Sequence, residues 1–151
     1  MKKRLCLILI CFMVALTFGC SKNSSGPEGS LKSIMNKIYE GIPSDDVPEL
    51  DRIKVNKENE EYYLGKITFE YEEALASEPM MTSVAHSVVL IRVKDEVTAS
   101  KAKEELKETV NPRKWVCVGV DNVITESNGN LVLLVMDDEI GTKIRDNFLE
   151  L

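Results

Sequence analysis

The fold is decided by residues 122–136, which read NVITESNGNLVLLVM. Two apolar, β-branched segments flank Asn128-Gly129, and a tight hairpin turn needs residues that tolerate positive φ. The second segment, residues 131–136, has no polar residue, which is typical of a strand covered on both faces. The sequence therefore predicts an antiparallel β-hairpin, with its second strand inside a sheet.

Other strands are predicted on the N-terminal side of the hairpin. Residues 86–93, HSVVLIRV, form a short β-branched run, which again predicts a strand covered on both faces. Residues 71–81 combine strand alternation with local helix propensity, and we favour a strand there. Residues 115–120, WVCVGV, look extended, whereas residues 42–63 carry two prolines and dense charge and predict irregular chain with a short turn of helix at most.

Three helices complete the pattern. Residues 98–110 have helical spacing and stop at Asn111-Pro112. A terminal helix is predicted after Asp137 or Asp138, one of which caps it. An N-terminal helix is predicted by apolar residues at helical spacing after a capping Ser30, namely Leu31, Ile34, Met35, Ile38 and Tyr39. The expected fold class is α+β, with a mainly antiparallel four- to five-stranded sheet packed by about three helices.

The N-terminus has the pattern of an export signal. Three basic residues precede an apolar run from residue 5 to residue 19, which is short for a membrane span. The run ends in LTFGC, which resembles a bacterial lipobox, so Cys20 is predicted to receive a lipid with acyl chains such as palmitate. A signal peptide cleaved by an ordinary peptidase, or an uncleaved short anchor, is the alternative.

This processing divides the chain into three parts. Residues 1–19 are the predicted lipoprotein signal peptide, residues 20–30 the lipidated Cys20 with a flexible Ser-rich tether, and residues 31–151 a single α+β domain. The whole chain has 19 basic and 25 acidic residues; without the three basic residues of the signal, 16 remain against 25, a net charge of −9. Such an acidic domain is not expected to bind nucleic acid.

Cysteine and histidine offer few reactive groups. After removal of the signal, Cys117 is the only cysteine besides Cys20, so no disulfide within the domain is expected. The valines around Cys117 predict a buried, unreactive thiol. His86, the single histidine, is expected to be a hydrogen-bonded structural residue rather than the partner of Cys117 in a catalytic dyad.

Metal and catalytic motifs are not found in the sequence. Met80, Met81, His86 and Met136 are soft ligands, but adjacent methionines on a strand point to opposite faces, so packing is the favoured interpretation. The chain has no glycine-rich phosphate loop, no G-x-S-x-G elbow and no H-E-x-x-H helix. We predict no catalytic residue, no metal and no cofactor.

Met80, Met81 and Trp115 are the candidate binding residues. Pro79 weakens strand pairing just before the two methionines, so at least one of them is expected to be exposed. Methionine adapts to varied partner surfaces, and tryptophan beside basic residues is enriched at interfaces. Ordinary core packing is the alternative for each of them.

Three blocks of the domain carry a family resemblance: EALASEPMMTSVAHSVVLIRVKD, NPRKWVCVGVDNVI and GNLVLLVMDD. Together with the lipobox, their order resembles a family of small clostridial-type lipoproteins that carry an uncharacterised domain. The resemblance implies a strand over residues 71–81 and an extracytoplasmic location in a single-membrane bacterium. It implies no activity, substrate or catalytic residue.

The predicted function is a lipid-anchored, extracytoplasmic binding or interaction module. Its expected partners are the cell membrane, through the lipid on Cys20, and a protein or small molecule that the sequence does not identify. The alternative is a cell-envelope enzyme that uses carboxylates without a recognisable motif. A cleft lined by carboxylates of raised pKa would favour the enzyme, and an exposed apolar patch would favour the binding module.

Overall fold

The predicted hairpin forms one edge of the sheet in a computed structural model that describes residues 26–151. β4 (Val123–Asn128) and β5 (Leu131–Met136) pair antiparallel around a two-residue turn. Gly129 has a φ of 59° and Asn130 does not have positive φ, the pattern of a type II′ turn rather than type I′. The predicted signal peptide and Cys20 lie outside the described residues.

The sheet has five strands, and every neighbouring pair is antiparallel. β3 (Ser87–Arg92) pairs with β5, β2 (Glu73–Pro79) pairs with β3, and β1 (Leu50–Val55) pairs with β2, so the order is β1-β2-β3-β5-β4. The strand predicted over residues 71–81 is therefore present with narrower bounds. The α+β fold class with a mainly antiparallel sheet is confirmed.

β1 corrects the prediction of irregular chain for residues 42–63. It is an edge strand that buries only part of one face: Ile53 and Val55 pack into a core, while Asp51 and Lys54 are exposed. The charged residues Asp51, Arg52 and Lys54 leave no alternating apolar pattern in this segment, so a hydrophobic pattern does not reveal the strand. A 3-10 turn, Ser44–Asp46, precedes β1, and the short turn of helix expected in this region follows β1 at Glu60–Leu64.

Three longer helices cover both faces of the sheet. α1 (Leu31–Ile38) and α3 (Gly141–Leu149) lie on one face, and α2 (Glu96–Thr109) lies on the other. The N-cap of α1 follows the sequence, since Ser30 accepts a hydrogen bond from the backbone of the helix. β5 is buried throughout and β3 is buried except for a partly exposed Arg92, as expected for strands covered on both faces.

The two ends of the sheet contact different parts of the chain. At the tether end, the Nη2 of Arg92 donates to the Gly29 carbonyl at 2.8 Å, and Asn130 Oδ1 accepts from the Gly26 amide at 3.3 Å. Residues 26–29 of the predicted tether are thus held against the last residues of β3 and the β4–β5 turn. The opposite end, called here the far end, carries residues 42–50, 80–86, 110–122 and 137–140.

Candidate functional site

An exposed apolar patch lies at the far end of the sheet. Met80 is 56% exposed, Met81 is 65% exposed and Val116 is 59% exposed. The two connections that carry them are joined by a hydrogen bond from the Val116 amide to the Thr82 carbonyl, at 2.9 Å. We call Met80, Met81 and Val116 the far-end patch.

The methionines are exposed for a reason other than strand alternation. β2 ends at Pro79, so both methionines lie in the turn beyond the strand rather than on its two faces. The Met80 amide still donates to the Glu49 carbonyl at 3.0 Å, which holds the turn against the start of β1. The expectation that at least one methionine is exposed is therefore confirmed, and a binding role for them stays a prediction.

Trp115 is buried and does not join this patch. Its ring, with those of Tyr62 and Tyr63, surrounds the ammonium of Lys114, whose Nζ lies 5.3, 4.8 and 5.0 Å from the three ring centroids respectively. Its indole Nε1 has no hydrogen-bond partner among the described residues. Trp115 can therefore support the far end from within, but it presents no anchor to a partner.

Lys114 forms a buried ion pair with Glu78 on the α2 face of the sheet. Its Nζ is 2.8 Å from Glu78 Oε1 and 3.0 Å from Ser87 Oγ, and Ser87 also donates to Glu78. Burial lowers the pKa of Lys114, and the attraction of Glu78 opposes that shift. Lys114 therefore joins the core, instead of stabilising the end of the preceding helix as a surface charge would.

His86 belongs to a second buried polar cluster, on the opposite face. Its Nδ1 lies 2.7 Å from Asp137 Oδ2, and its Nε2 lies 2.7 Å from the Tyr39 hydroxyl. A carboxylate only accepts hydrogen bonds, so Nδ1 carries a proton. Both ring nitrogens are thus engaged, and His86 is the satisfied structural residue that the sequence predicted.

Asp137 links this cluster to the start of α3. Its Oδ1 accepts from the backbone amides of Glu139, Ile140 and Gly141 at 2.8, 2.6 and 3.2 Å. Burial would raise the pKa of Asp137, but the hydrogen bonds from His86 and from these amides outweigh it and hold the pKa below its ordinary value. Neither predicted residue is the N-cap, which is Ile140, but Asp137 satisfies the amides that lead into the helix from outside it.

The cluster continues from Tyr39 to Arg52 at the sheet edge. The Tyr39 hydroxyl is 3.2 Å from Ser77 Oγ, Arg52 donates to the same Ser77 oxygen, and the Arg52 guanidinium lies 5.0 Å from the centre of the Tyr39 ring. Burial raises the pKa of Tyr39 well above its ordinary value, so the phenol stays protonated at neutral pH. The arrangement suits a rigid support better than a nucleophile.

A cleft of about 280 Å³ lies beside this cluster, at the far end of the sheet. Exposed carboxylates and short apolar residues form its wall, with His86 and Asp137 behind them. It is lined by Asp46, Pro48, Val84, Ala85, His86, Val118, Gly119, Val120, Asp137, Asp138 and Glu139. Sequence reasoning missed this site, because its walls come from four separate parts of the chain.

Cys117 corrects a second expectation, since the thiol is exposed rather than buried. Residues 115–120 form a loop instead of an extended strand, and Cys117 has a left-handed φ of 62°. This conformation turns the chain at Cys117 and leaves both Val116 and Cys117 facing solvent. Both ring nitrogens of His86 are hydrogen-bonded to other residues, Asp137 and Tyr39, so His86 and Cys117 form no catalytic dyad.

The soft ligands considered for a metal are not brought together. Met80 and Met81 are exposed at the far end, while His86 and Met136 are fully buried. Among residues 26–151, no group of three or more His, Cys, Asp or Glu side chains has a metal-binding arrangement. In the same part of the chain, no helix has the length and apolar character to cross a membrane.

Comparison with known proteins adds no relative. No protein-family model, no curated protein and no solved structure matches the chain. The function therefore has to be inferred from the geometry of the domain itself.

Proposed function

We propose that this protein is a lipid-anchored, extracytoplasmic binding module that meets its partner through the far-end patch. One observation carries the proposal: the chain joins the sheet at the tether end, while Met80, Met81 and Val116 are exposed at the other end. An apolar patch that served the membrane would be expected on the anchored side. A patch on the opposite side is placed to meet a partner.

The length of the tether supports this orientation. Cys20 is six residues before Gly26, and an extended chain spans at most about 3.3–3.6 Å per residue, or about 20 Å in all. The strands add about 20 Å between the tether end and the far end, at about 3.4 Å per residue. A lipid on Cys20 would therefore keep the tether end within about 20 Å of the membrane, whereas the far end can stand up to about 40 Å from it.

The anchor is tested by replacing the cysteine that would carry it. In cells that express the full chain, we expect labelled fatty acid in the wild-type protein and none in Cys20→Ala. Cys117→Ser serves as the matched control and should keep the label. Label that persists in Cys20→Ala would rule out the lipid anchor, and with it the proposed orientation.

The binding surface is tested by crosslinking in intact cells. A photoreactive amino acid in place of Met81 should capture one defined partner, whereas the same amino acid in place of Glu72, which is exposed at the tether end, should not. The captured partner should then bind the purified protein directly. Identical capture from both positions would show that the far end is not the binding surface.

An envelope enzyme is the second candidate, and the acidic cleft is the observation that favours it. The pKa of Asp137 argues against acid catalysis there, because a general acid needs a raised pKa and this carboxyl has a lowered one. His86 also has no free ring nitrogen to act as a base. The exposed patch therefore supports binding better than the cleft supports catalysis.

A further inference from the structure

We infer that the segment docked at the far end is a cationic, amphipathic peptide, with apolar side chains on the patch and basic side chains towards the cleft. This inference rests on the proposed binding function. It concerns the negative charge around the far-end patch. A purely apolar partner would leave that charge without a counter-charge.

The exposed charges of the far-end connections are almost all negative. Across residues 42–50, 80–86, 110–122 and 137–140, the one exposed basic side chain is Arg113. The exposed acidic side chains of the same segments are Asp45, Asp46, Glu49, Asp121, Asp138 and Glu139. A surface with this balance attracts cations and repels anions over about 8–10 Å in physiological salt.

Two carboxylates of the cleft are not neutralised by the protein. Asp46 and Glu139 line the cleft, and neither side chain has a hydrogen-bond or ion-pair partner among the described residues. Glu78, by contrast, is matched by Lys114. Asp46 and Glu139 are therefore free to meet basic groups of a partner.

The apolar patch and the acidic cleft are built from the same two connections, residues 80–86 and 110–122. Val84 and Ala85 in the cleft wall follow Met81 in the same connection, and the Val84 amide donates to the Met81 carbonyl at 3.2 Å. Val118 in the wall likewise lies two residues after Val116 of the patch. A single peptide with one apolar and one basic face can therefore reach both.

Charge also argues against two other occupants. A second copy of the chain would bring two acidic far ends together, and an anionic membrane would be repelled in the same way. A cationic amphipathic segment fits both the patch and the carboxylates.

The probe is a synthetic helical peptide of about 14 residues, with lysines on one face and leucines on the other. Two matched peptides carry glutamate for lysine or serine for leucine. Binding is measured by fluorescence anisotropy on the mature Cys20→Ala chain, which has no acyl chains to which the peptide could bind.

Two pairs of substitutions separate the contributions of charge and apolar contact. Asp46→Asn/Glu139→Gln should weaken binding of the lysine–leucine peptide roughly fivefold, the effect of two exposed charge pairs. Met80→Ser/Met81→Ser should weaken it roughly tenfold. The control Glu70→Gln/Glu72→Gln removes the same charge near the tether end and should change the affinity less than about twofold.

The possible failures are distinguishable. Equal weakening by the control pair, or tight binding of the glutamate peptide, overturns the inference. So does dimerisation of the wild-type chain in sedimentation that Met80→Ser/Met81→Ser abolishes, because a second copy would then be the occupant. If the cellular partner needs the methionines but ignores Asp46→Asn/Glu139→Gln and salt, the inference fails while the proposed function stands. If binding of that partner is also unchanged by Met80→Ser/Met81→Ser, both the inference and the proposed function fail.

Discussion

The tether end and the far end of the same sheet are built in different ways. At the tether end, the side chains of Arg92 and Asn130 hold the incoming chain by its backbone. At the far end, an ion pair lies buried while Met80 and Met81 are exposed. Buried charge costs stability and fixes geometry. The tether end therefore attaches the incoming chain to the sheet, whereas the far end holds an exposed surface in a fixed conformation.

Breaking the buried ion pair should have the largest effect. Glu78→Gln leaves the Lys114 ammonium buried without a counter-charge, so we expect a loss of about 3–5 kcal/mol in the free energy of unfolding by urea. The exposed control Glu49→Gln should change it by less than about 0.5 kcal/mol. The double variant Glu78→Leu/Lys114→Met should recover most of the loss. If the double variant instead lost as much free energy of unfolding as the two single variants together, the pairing of Glu78 with Lys114 would be contradicted.

The second effect concerns Asp137 and is dependent on pH. Asp137→Asn weakens the charged bond to His86 and the bonds to the amides that lead into α3, at an expected cost of about 2–3 kcal/mol at neutral pH. The folded pKa of Asp137 is lowered, so its contribution is present above the unfolded value of about 3.9 and is lost as pH falls through the folded pKa.

Urea unfolding between neutral pH and pH 3 checks this sign. The difference between the wild-type protein and Asp137→Asn should shrink as the pH falls below about 4. The exposed control Asp45→Asn should run parallel to the wild-type protein. A difference that grows in acid would show that the carboxylate is not stabilised by its neighbours.

A smaller loss is expected at the tether end. Arg92→Gln removes the guanidinium that bonds to the backbone of residues 27–29 and to Glu73, so about 1–2 kcal/mol should be lost. Limited proteolysis should then cut residues 26–30 faster. The exposed Arg113→Gln at the far end is the matched control and should leave both measurements unchanged. Unchanged cleavage in Arg92→Gln would mean that these bonds do not hold the tether.

The smallest stability effect is expected for the far-end patch. Met80→Ser/Met81→Ser should shift the free energy of unfolding by less than about 0.5 kcal/mol, because the side chains are already in water. A buried methionine would instead cost about 2–5 kcal/mol on truncation. Urea titration of the double variant distinguishes exposed from buried methionines. A loss of about 2–5 kcal/mol would show that Met80 and Met81 are buried in the core.

The regular elements could be predicted from the sequence because their signals are local. The spacing of apolar residues indicates α1 and α2, and the β-branched runs with Asn128-Gly129 indicate β3 and the hairpin. β1 was missed because it buries so little of its surface. The valines around Cys117 suggested burial, but their loop places Val116 and Cys117 in solvent.

The far-end clusters could not be predicted, because their partners are distant in sequence. Tyr39, His86 and Asp137 come from three separate connections, and only Asp137, just before the terminal helix, left a local signal. The pairing of Lys114 with Glu78 likewise depends on how the α2–β4 connection folds over the sheet. The exposed methionines were predicted in part, through Pro79, although the turn rather than the strand exposes them.

The orientation of the two ends at the membrane is the most direct test of the proposed function. In lipidated protein on vesicles, a donor dye on Cys117 marks the far end, and a dye on Glu72→Cys in a Cys117→Ser background marks the tether end. Energy transfer to acceptor-labelled lipid headgroups is measured for both. We expect clearly weaker transfer from Cys117, because the strands separate the two ends by about 20 Å. Equal transfer, or stronger transfer from Cys117, would contradict an outward-facing far end.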